Sequence, residues 1–564
     1  MKQDPQTSLS SEQVFEKPEN VQAFVYGLYY QWRATRVNRK GFYTILGTDE
    51  AQQGEYQVRT NAMQAAFDKY DGYYDSENTS IAEAWNIRWP VAVQASEGLW
   101  HIDRLLKSAS ADEAEQYKVF LGQISFYRAC ILFELTQYWG KLPLPNIVDG
   151  QNQLGPRKEL QEVYKMITDD LKVSLTYLSE KRAADGRIPT IWAAKMLLAK
   201  VYMSAPVESG YRDFGEAQIL LEDLKSRGGF VLENNYADLF DANKVMGNLP
   251  SQASTEEIFT FYFNNVWPDS NEAQWYAGTR ACSGDPNCMY GGYDFVLPTD
   301  YCVNIYEPGD LRKDASIRSD FIYKGKQPVP SAGFGEDQLK PHFKKFEDVR
   351  IDGTKSFYYT GGNMYYFRYA DALLMLAECM NETGNTSGAV TLVNTTVRSR
   401  AFGGTVPAQY VWDTGMSAEE FRTKILDERM RELACEGWRR MDLVRTGHFE
   451  EYVKVRISDS HMHVVCIEKN GQILQEEKSV IKKEKADRSL LDIKDIYDFI
   501  KTVELTDIQD ILERQIDYNY AIACAGLNDN YGANIGKVLL KSFGNDVKNK
   551  AKAYAAAGSD ARMN

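Results

Sequence analysis

Apolar residues recur every three to four positions in one segment after another of this chain, and the segments come in pairs. From Ile81 to Leu106 the helical spacing picks out Trp85, Trp89, Val93, Leu99 and Ile102. From Glu113 to Trp139 it places Tyr117, Leu121, Ile124, Tyr127, Ile131 and Leu135 on one side. Gly140 ends that helix, and Pro143 and Pro145 hold the chain extended beyond it. A second pair runs from Glu159 to Leu178 and from Thr190 to Ser204. The latter opens after Pro189 and sets Ala193, Ala194 and Ala199 among Leu197 and Tyr202, a mixture that lets two helices approach closely. A third pair begins at Phe214 to Ser226. Helices return at Tyr366 to Asn381, turn at Gly384-Asn385 and continue from Gly388 to Arg400; a last long helix spans Ala418 to Thr446. Units of ~30–40 residues, each unable to bury its apolar face alone, fit a tetratricopeptide-like solenoid. The fold class expected is mainly α.

Between the helical stretches of residues 14–240 and 365–446 lies a different kind of sequence. Residues 241–360 are rich in Gly, Pro, Asn and aromatics, with short β-like runs such as Ile258 to Phe263. Long irregular stretches carried on a regular scaffold are where recognition tends to sit. The net charge of −14 argues against a nucleic-acid partner, which needs a concentrated basic face. No apolar run reaches the ~20 residues of a membrane helix, and Met1-Lys2-Gln3-Asp4-Pro5 leads directly into polar sequence without a signal peptide. The eight cysteines and five histidines show no zinc spacing, so no metal ligand set is expected; His461 and His463 lack a third partner. Cys282 and Cys288 flank a short loop that could bend into a disulfide in an oxidising compartment or leave two free thiols.

The densest motif runs from Ile425 to Gly447. Glu428, Glu432 and Glu436 stand four apart on one stripe, with Arg429, Arg431, Arg439, Arg440, Asp442 and Arg445 interleaved. Paired carboxylates can do acid–base work. Opposite charges interleaved on a helix more commonly form ion pairs that lock neighbouring helices, and that is the reading adopted; no catalytic residue is assigned.

This stretch, with Gly437 before Trp438-Arg439 and Asp442-Leu-Val-Arg445-Thr-Gly447 closing it, resembles the signature helix of the SusD/RagB family. Further matches are Arg368-Tyr-Ala-Asp371 with Glu378, then Gly384, Ala389, Asn394, Arg398, Arg400 and Ala401. Asp4-Pro5-Gln6-Thr7, the run Tyr127 to Pro145, Trp85-Asn86 to Asp103 and Ala193 to Tyr202 fit as well. The resemblance covers residues 1–453. It implies a nutrient-binding lipoprotein of the bacterial outer surface, without catalysis, that passes oligosaccharides or peptides to a SusC-like TonB-dependent transporter. No cofactor is implied, and whether Ca²⁺ assists is not legible. No lipobox cysteine precedes Asp4, so a lipid anchor, the sole membrane link expected, is not part of this sequence.

Sugar rings present C–H faces that stack on aromatics and hydroxyls that pair with Asn, Asp and Arg. Trp267, Trp275, Tyr276, Arg280 and Tyr290, with Tyr293 nearby, supply both kinds of group within the irregular region. Tyr74 and Asn78 form a second candidate loop.

All ten tryptophans lie before residue 439, and aromatics fall from about 14% of residues 1–453 to about 6% of residues 454–564. The SusD-like ending does not appear beyond Val453. His461 to Gly471 reads as two strands around an Asn470-Gly471 hairpin turn. Helical runs follow from Asp492 to Val503 and from Asp507 to Ala525, giving an α/β segment. Gly526 to Lys537 and Ser559-Asp-Ala-Arg-Met563 resemble the interior of serine-dehydratase-like alpha subunits, which include iron–sulfur cysteine desulfidases. The Gly-rich loop and the Gly-Cys-Thr-Glu-Pro motif of that family are both absent, so no lyase activity is expected. An apparent chimera results: a binding protein joined to part of an enzyme. The alternative makes the enzyme fragment the owner and the SusD-like part its carrier.

Overall fold

The computed structural model describes residues 14–15, 17–37, 41, 45–70, 76–245, 251, 253–351 and 356–453, together with 468–469 and 472–473. The chain divides into two compact units, Met1–Phe449 and Glu450–Asn564.

In the first unit the helices that build the frame and the site include α1 (Pro18–Val37), α2 (Thr79–Asn86), α3 (Trp89–Leu106), α4 (Ala111–Trp139), α5 (Leu160–Tyr177), α6 (Ile191–Ser204) and α7 (Phe214–Arg227). They continue as a short α8 (Ala273–Ala277), α9 (Tyr369–Glu382), α10 (Thr386–Val393), α11 (Ala418–Leu433) and α12 (Arg439–Arg445). Each long helix packs on the next. α4 lies against α1, α3 and α5, and α6 against α5 and α7. α7 then meets α9, which covers α10 and α11. Ala193, Ala194 and Ala199 are fully buried on α6, where a larger side chain would push its neighbours apart. α4 starts with a capping box, Ser110 and Glu113 each satisfying the other's backbone N–H, and stops at Gly140 in a positive-φ conformation. By length and composition α4 could cross a membrane, yet 83% of its most apolar window is buried inside the protein. It is a core helix whose Phe126 and Tyr127 pack against Trp32 and Phe259.

Three helix expectations are corrected. The Ile81–Leu106 segment is two helices, α2 and α3, parted at Ile87-Arg88 just before Pro90, which lacks the N–H that a helix interior requires. Tyr366–Arg368 is not the start of a helix but the end of a strand, β4 (Met364–Arg368). It pairs antiparallel with β2 (Glu257–Phe261), a partner distant in sequence that periodicity cannot show. The helix expected from Ala418 to Thr446 stops at Leu433. Cys435 (φ 60) and Gly437 (φ 86) turn the chain through left-handed conformations before α12 begins. Gly437 has a second reason to lack a side chain: a Cβ there would stand 2.9 Å from Nη2 of Arg36.

The segment 241–360 is irregular, as expected, and anchored by short antiparallel pairs. β1 (Ala51–Gln53) joins β3 (Val296–Pro298), and Ile317-Arg318 joins His342-Phe343. In the second unit, β5 (Glu468–Lys469) and β6 (Gln472–Ile473) pair antiparallel on either side of Asn470-Gly471, as the hairpin reading anticipates. The helical runs anticipated at 492–503 and 507–525 lie outside the described residues, as do Tyr73, Tyr74 and Asp75.

Candidate functional site: an aromatic ledge

α8 presents Trp275 and Tyr276, half-buried, with rings stacked at 5.5 Å between centroids and 7° between planes. Tyr358 meets Trp275 edge-on at 5.1 Å, and Tyr293 approaches it at 6.0 Å. The hydroxyls of Tyr293 and Tyr358 are 2.9 Å apart. Burial, then the hydrogen bond with Tyr293, pushes the Tyr358 phenol up to about 12, so it remains a neutral donor at physiological pH. Tyr359, next along the chain, is exposed. Four half-buried aromatic side chains thus form one ledge.

Backbone contact beneath the ledge fixes its shape. The Gly278 and Gly292 backbones touch: a Cβ on Gly278 would fall 2.2 Å from the Gly291 carbonyl oxygen, and one on Gly292 would fall 2.5 Å from the Gly278 Cα. Thr279 N–H donates to the Tyr290 carbonyl at 2.9 Å, and Gly292 N–H donates back to the Thr279 carbonyl at 3.0 Å. Asp294 is held in the left-handed region (φ 50), its N–H on the Gly278 carbonyl and its carboxylate accepting from the Arg280 N–H.

The remaining sequence-predicted residues fall in different places. Arg280 is 6% exposed. Its guanidinium lies against the rings of Phe334, Tyr293 and Tyr56 at 4.5, 4.7 and 5.0 Å, and it donates to the Tyr293 carbonyl. It braces Tyr293 from behind instead of facing outward. Tyr290 is buried on another side, under Arg318 and against Phe321 and Tyr323, with its hydroxyl on the Ile322 carbonyl. Asn78 is the N-cap of α2: its side chain accepts from Ser80 and Ile81 N–H and donates to the Met63 carbonyl. Trp267 is 67% exposed, on a separate turn in which Asn264 N–H donates to the Asp269 carbonyl and Asp269 N–H to the Val266 carbonyl. No ring pairing joins it to the ledge among the described residues. The structure therefore brings together Trp275 and Tyr276, with Arg280 behind them. Tyr358, Phe334 and Tyr56 were missed, although Phe357-Tyr358-Tyr359 before Gly361-Gly362 was an available signal.

The charged signature forms a closed lattice. The Arg368 guanidinium bonds Glu432 (2.5 Å) and Glu436 (2.8 Å). Arg312 bonds Asp310, Glu428 and Glu432 at 2.6, 2.7 and 3.0 Å. Arg398 meets Glu428 (2.8 Å), and Arg429 joins Asp371 to Asp442, both at 2.8 Å. Arg445 links Asp442 and Glu378, and Arg439 holds Asp49 through two bonds. Burial alone would raise the Glu428 pKa; the Arg312 and Arg398 charges outweigh it and hold the carboxyl at about 2. Glu432 and Asp442 are depressed further by the same contest. A general acid or base needs a pKa near the working pH and an open approach, and these carboxylates have neither.

A cavity of about 170 Å³ opens elsewhere, between α7, α9 and α11, lined by Arg212, Glu382, Arg422, Arg445 and His448. Its arginines are already engaged: Arg422 bonds Glu382, Arg445 bonds Glu378, and Arg212 donates to the Ala205 carbonyl. The ledge, whose four aromatic side chains are half-buried, is the better candidate for recognition. Among the described residues no group of three His, Cys, Asp or Glu is placed to hold a metal ion.

Comparison with known proteins finds two kinds of relative, and the match to one of them continues past the boundary between the units. Residues 301–487 match the model described as the SusD family, and residues 4–203 match that of starch-binding proteins associating with the outer membrane. A SusD-like protein of Formosa agariphila, P25, is 23% identical over 79% of this chain and 86% of its own length. A SusD homolog from Bacteroides thetaiotaomicron superposes with a TM-score of 0.67 at 20% identity, covering 80% of this chain and 90% of that one. A laminarin-binding SusD-like protein superposes with a TM-score of 0.60 at 22% identity, covering 78% and 93%. A UPF0597 protein of Desulfitobacterium hafniense is 51% identical over 123 residues, 22% of this chain. The chain spans only 29% of that protein's length.

Proposed function

Because the larger unit of this chain is SusD-like in sequence and in fold, and a separate stretch resembles a UPF0597 interior, we propose that its function resides in the first unit as a glycan-binding protein. It captures oligosaccharides at the bacterial outer surface, held there by a lipid anchor, and passes them to a SusC-like TonB-dependent transporter. The observation that carries this reading is the ledge of Trp275, Tyr276, Tyr293 and Tyr358. Ring faces half-open to solvent are suited to the C–H faces of a sugar, and the paired Tyr293 and Tyr358 hydroxyls to its hydroxyl groups.

Calorimetry with a panel of soluble oligosaccharides tests the proposal. Trp275→Ala should lower affinity at least tenfold, the loss of about 1.4 kcal/mol or more of stacking. Trp267→Ala should also weaken binding if the exposed turn bearing Trp267 reaches the ligand. Unchanged affinity in both variants would overturn the placement of the site. The enzyme alternative predicts pyruvate release from serine or cysteine; less than a third of a UPF0597 relative's length gives little support for it.

A further inference from the structure

Cys282 and Cys288 close two consecutive turns. Asp285 N–H donates to the Cys282 carbonyl, and Cys288 N–H donates to the Asp285 carbonyl at 3.0 Å. The Asp285 carboxylate pins the loop outward by accepting from Tyr323 and Lys324, both at 2.8 Å. Both cysteines are buried in one small cluster with Tyr290 and Phe321, and the Cys282 thiol hydrogen-bonds Cys288. The other described cysteines, Cys130, Cys302, Cys379 and Cys435, are buried without a thiol–thiol hydrogen bond among the described contacts.

We infer that Cys282 and Cys288 form a structural disulfide that closes this loop. The thiol–thiol hydrogen bond shows that the fold brings the two sulfurs within reach of each other. In the reaction the thiolate of one cysteine attacks the disulfide of a small or protein oxidant and displaces one thiol. The thiolate of the other cysteine then attacks the protein sulfur of the mixed disulfide and displaces the second. Two protein thiols and one oxidant disulfide become one protein disulfide and two oxidant thiols, so two electrons and two protons pass to the oxidant. Because both sulfurs are buried in the folded chain, the bond closes during folding, before Phe321 and Tyr290 cover it.

The position gives the bridge a purpose. Its loop leads through Tyr290 into Tyr293, and the Pro286 carbonyl accepts the N–H of Phe357, which precedes Tyr358. The bridge thereby fixes the spacing of two ledge tyrosines. That consequence rests on the glycan-binding reading; the bond itself does not.

The test is to refold the full chain in a glutathione redox buffer, alkylate it with iodoacetamide under denaturing, non-reducing conditions and digest with trypsin. The peptide from Ala281 to Arg312 contains Cys282, Cys288 and Cys302. It should carry a single adduct, on Cys302, and be lighter by two hydrogens. Cleavage before Asp285 should leave its two halves joined until reduction. Adducts on all three cysteines, a persistent glutathione adduct, or a bridge to Cys302 or Cys435 would overturn the inference. Thermal unfolding gives an independent reading: dithiothreitol should lower the Tm of the wild-type chain and leave that of the Cys282→Ser/Cys288→Ser chain unmoved, and equal sensitivity in both would also overturn it.

Discussion

Replacing Glu50 with Gln should change how stability depends on pH. Glu50 is 2% exposed, beside Asp49, and accepts a hydrogen bond from the Cys435 backbone; its second carboxyl oxygen has no partner. Burial, opposed only in part by Arg439 and Lys345, pushes its pKa from 4.5 to about 8. Between those values the folded chain keeps a proton that the unfolded chain releases, so stability falls as pH rises from 4.5 to 8. At pH 7, about 2.5 pH units above the unfolded carboxyl's pKa and still below the folded one's, the destabilisation at 1.4 kcal/mol per pH unit is about 3.5 kcal/mol. Gln cannot titrate. Glu50→Gln should therefore gain on the wild type by about 3–3.5 kcal/mol between pH 4.5 and pH 7, whatever constant offset its amide introduces near Arg439. Urea unfolding followed by tryptophan fluorescence is the assay, because all ten tryptophans lie in the first unit and report on it alone. A difference that stays flat to within about 0.5 kcal/mol from pH 5 to pH 8 would show that Glu50 is ionised in the folded chain and refute the argument.

Glu432→Ala leaves Arg312, Arg368 and Arg400 facing a vacated site and should cost about 3–5 kcal/mol in the same assay. Glu419→Ala, which removes an exposed partner of Arg422, should cost under about 1 kcal/mol. Equal losses would mean that burial does not set the value of these pairs. Gly437→Ala combines a left-handed backbone with a Cβ close to Arg36 and should lower the urea midpoint by the equivalent of at least about 1 kcal/mol; a neutral result would show that the turn after α11 is adaptable. Glu428→Gln should be costly at pH 7 and progressively less so as the pH falls from 4.5 towards 2, because the depressed carboxyl gives up its stabilising charge in that window; a penalty independent of pH would contradict the ion-pair account.

Helix pairing was legible because it depends on local periodicity and on stops such as Gly140, although the Ser110–Glu113 capping box that starts α4 went unread. The errors arose where long-range partners decide. Tyr366 to Arg368 has residues that suit either a strand or a helix, and only its pairing with Glu257–Phe261 selects the strand. The turn after Leu433 was signalled by Gly437, but Cys435 in a left-handed conformation carries no local mark. Residue type alone made Arg280, Tyr290 and Asn78 plausible sugar contacts. Phe334, Phe321 and Met63, each distant or out of register in the sequence, commit them instead to internal contacts. Trp275 and Tyr276 stayed half-open because α8 is short and its buried face is taken by Ala273, Gln274 and Ala277.

The charged signature bears on how the ledge is held. An irregular segment of more than a hundred residues has too little regular backbone pairing to hold aromatic rings in register by itself. Here it is tied to the helical frame by charges at several points. Arg312 reaches from the segment to Glu428 and Glu432, Lys345 to Glu436, and Glu307 to Arg398; Glu256 receives Arg368 and Arg400. Each tie pairs a buried or half-buried group on the segment with a group on α11, on the turn after it, or near α9 and α10. Direction matters: a buried guanidinium accepts only those placements that satisfy its planar fork of donors, so the lattice fixes orientation as well as proximity. The motif that identifies the fold therefore need not touch a ligand. Its physical role is to hold the irregular segment, with the ledge it carries, in register on the helical frame.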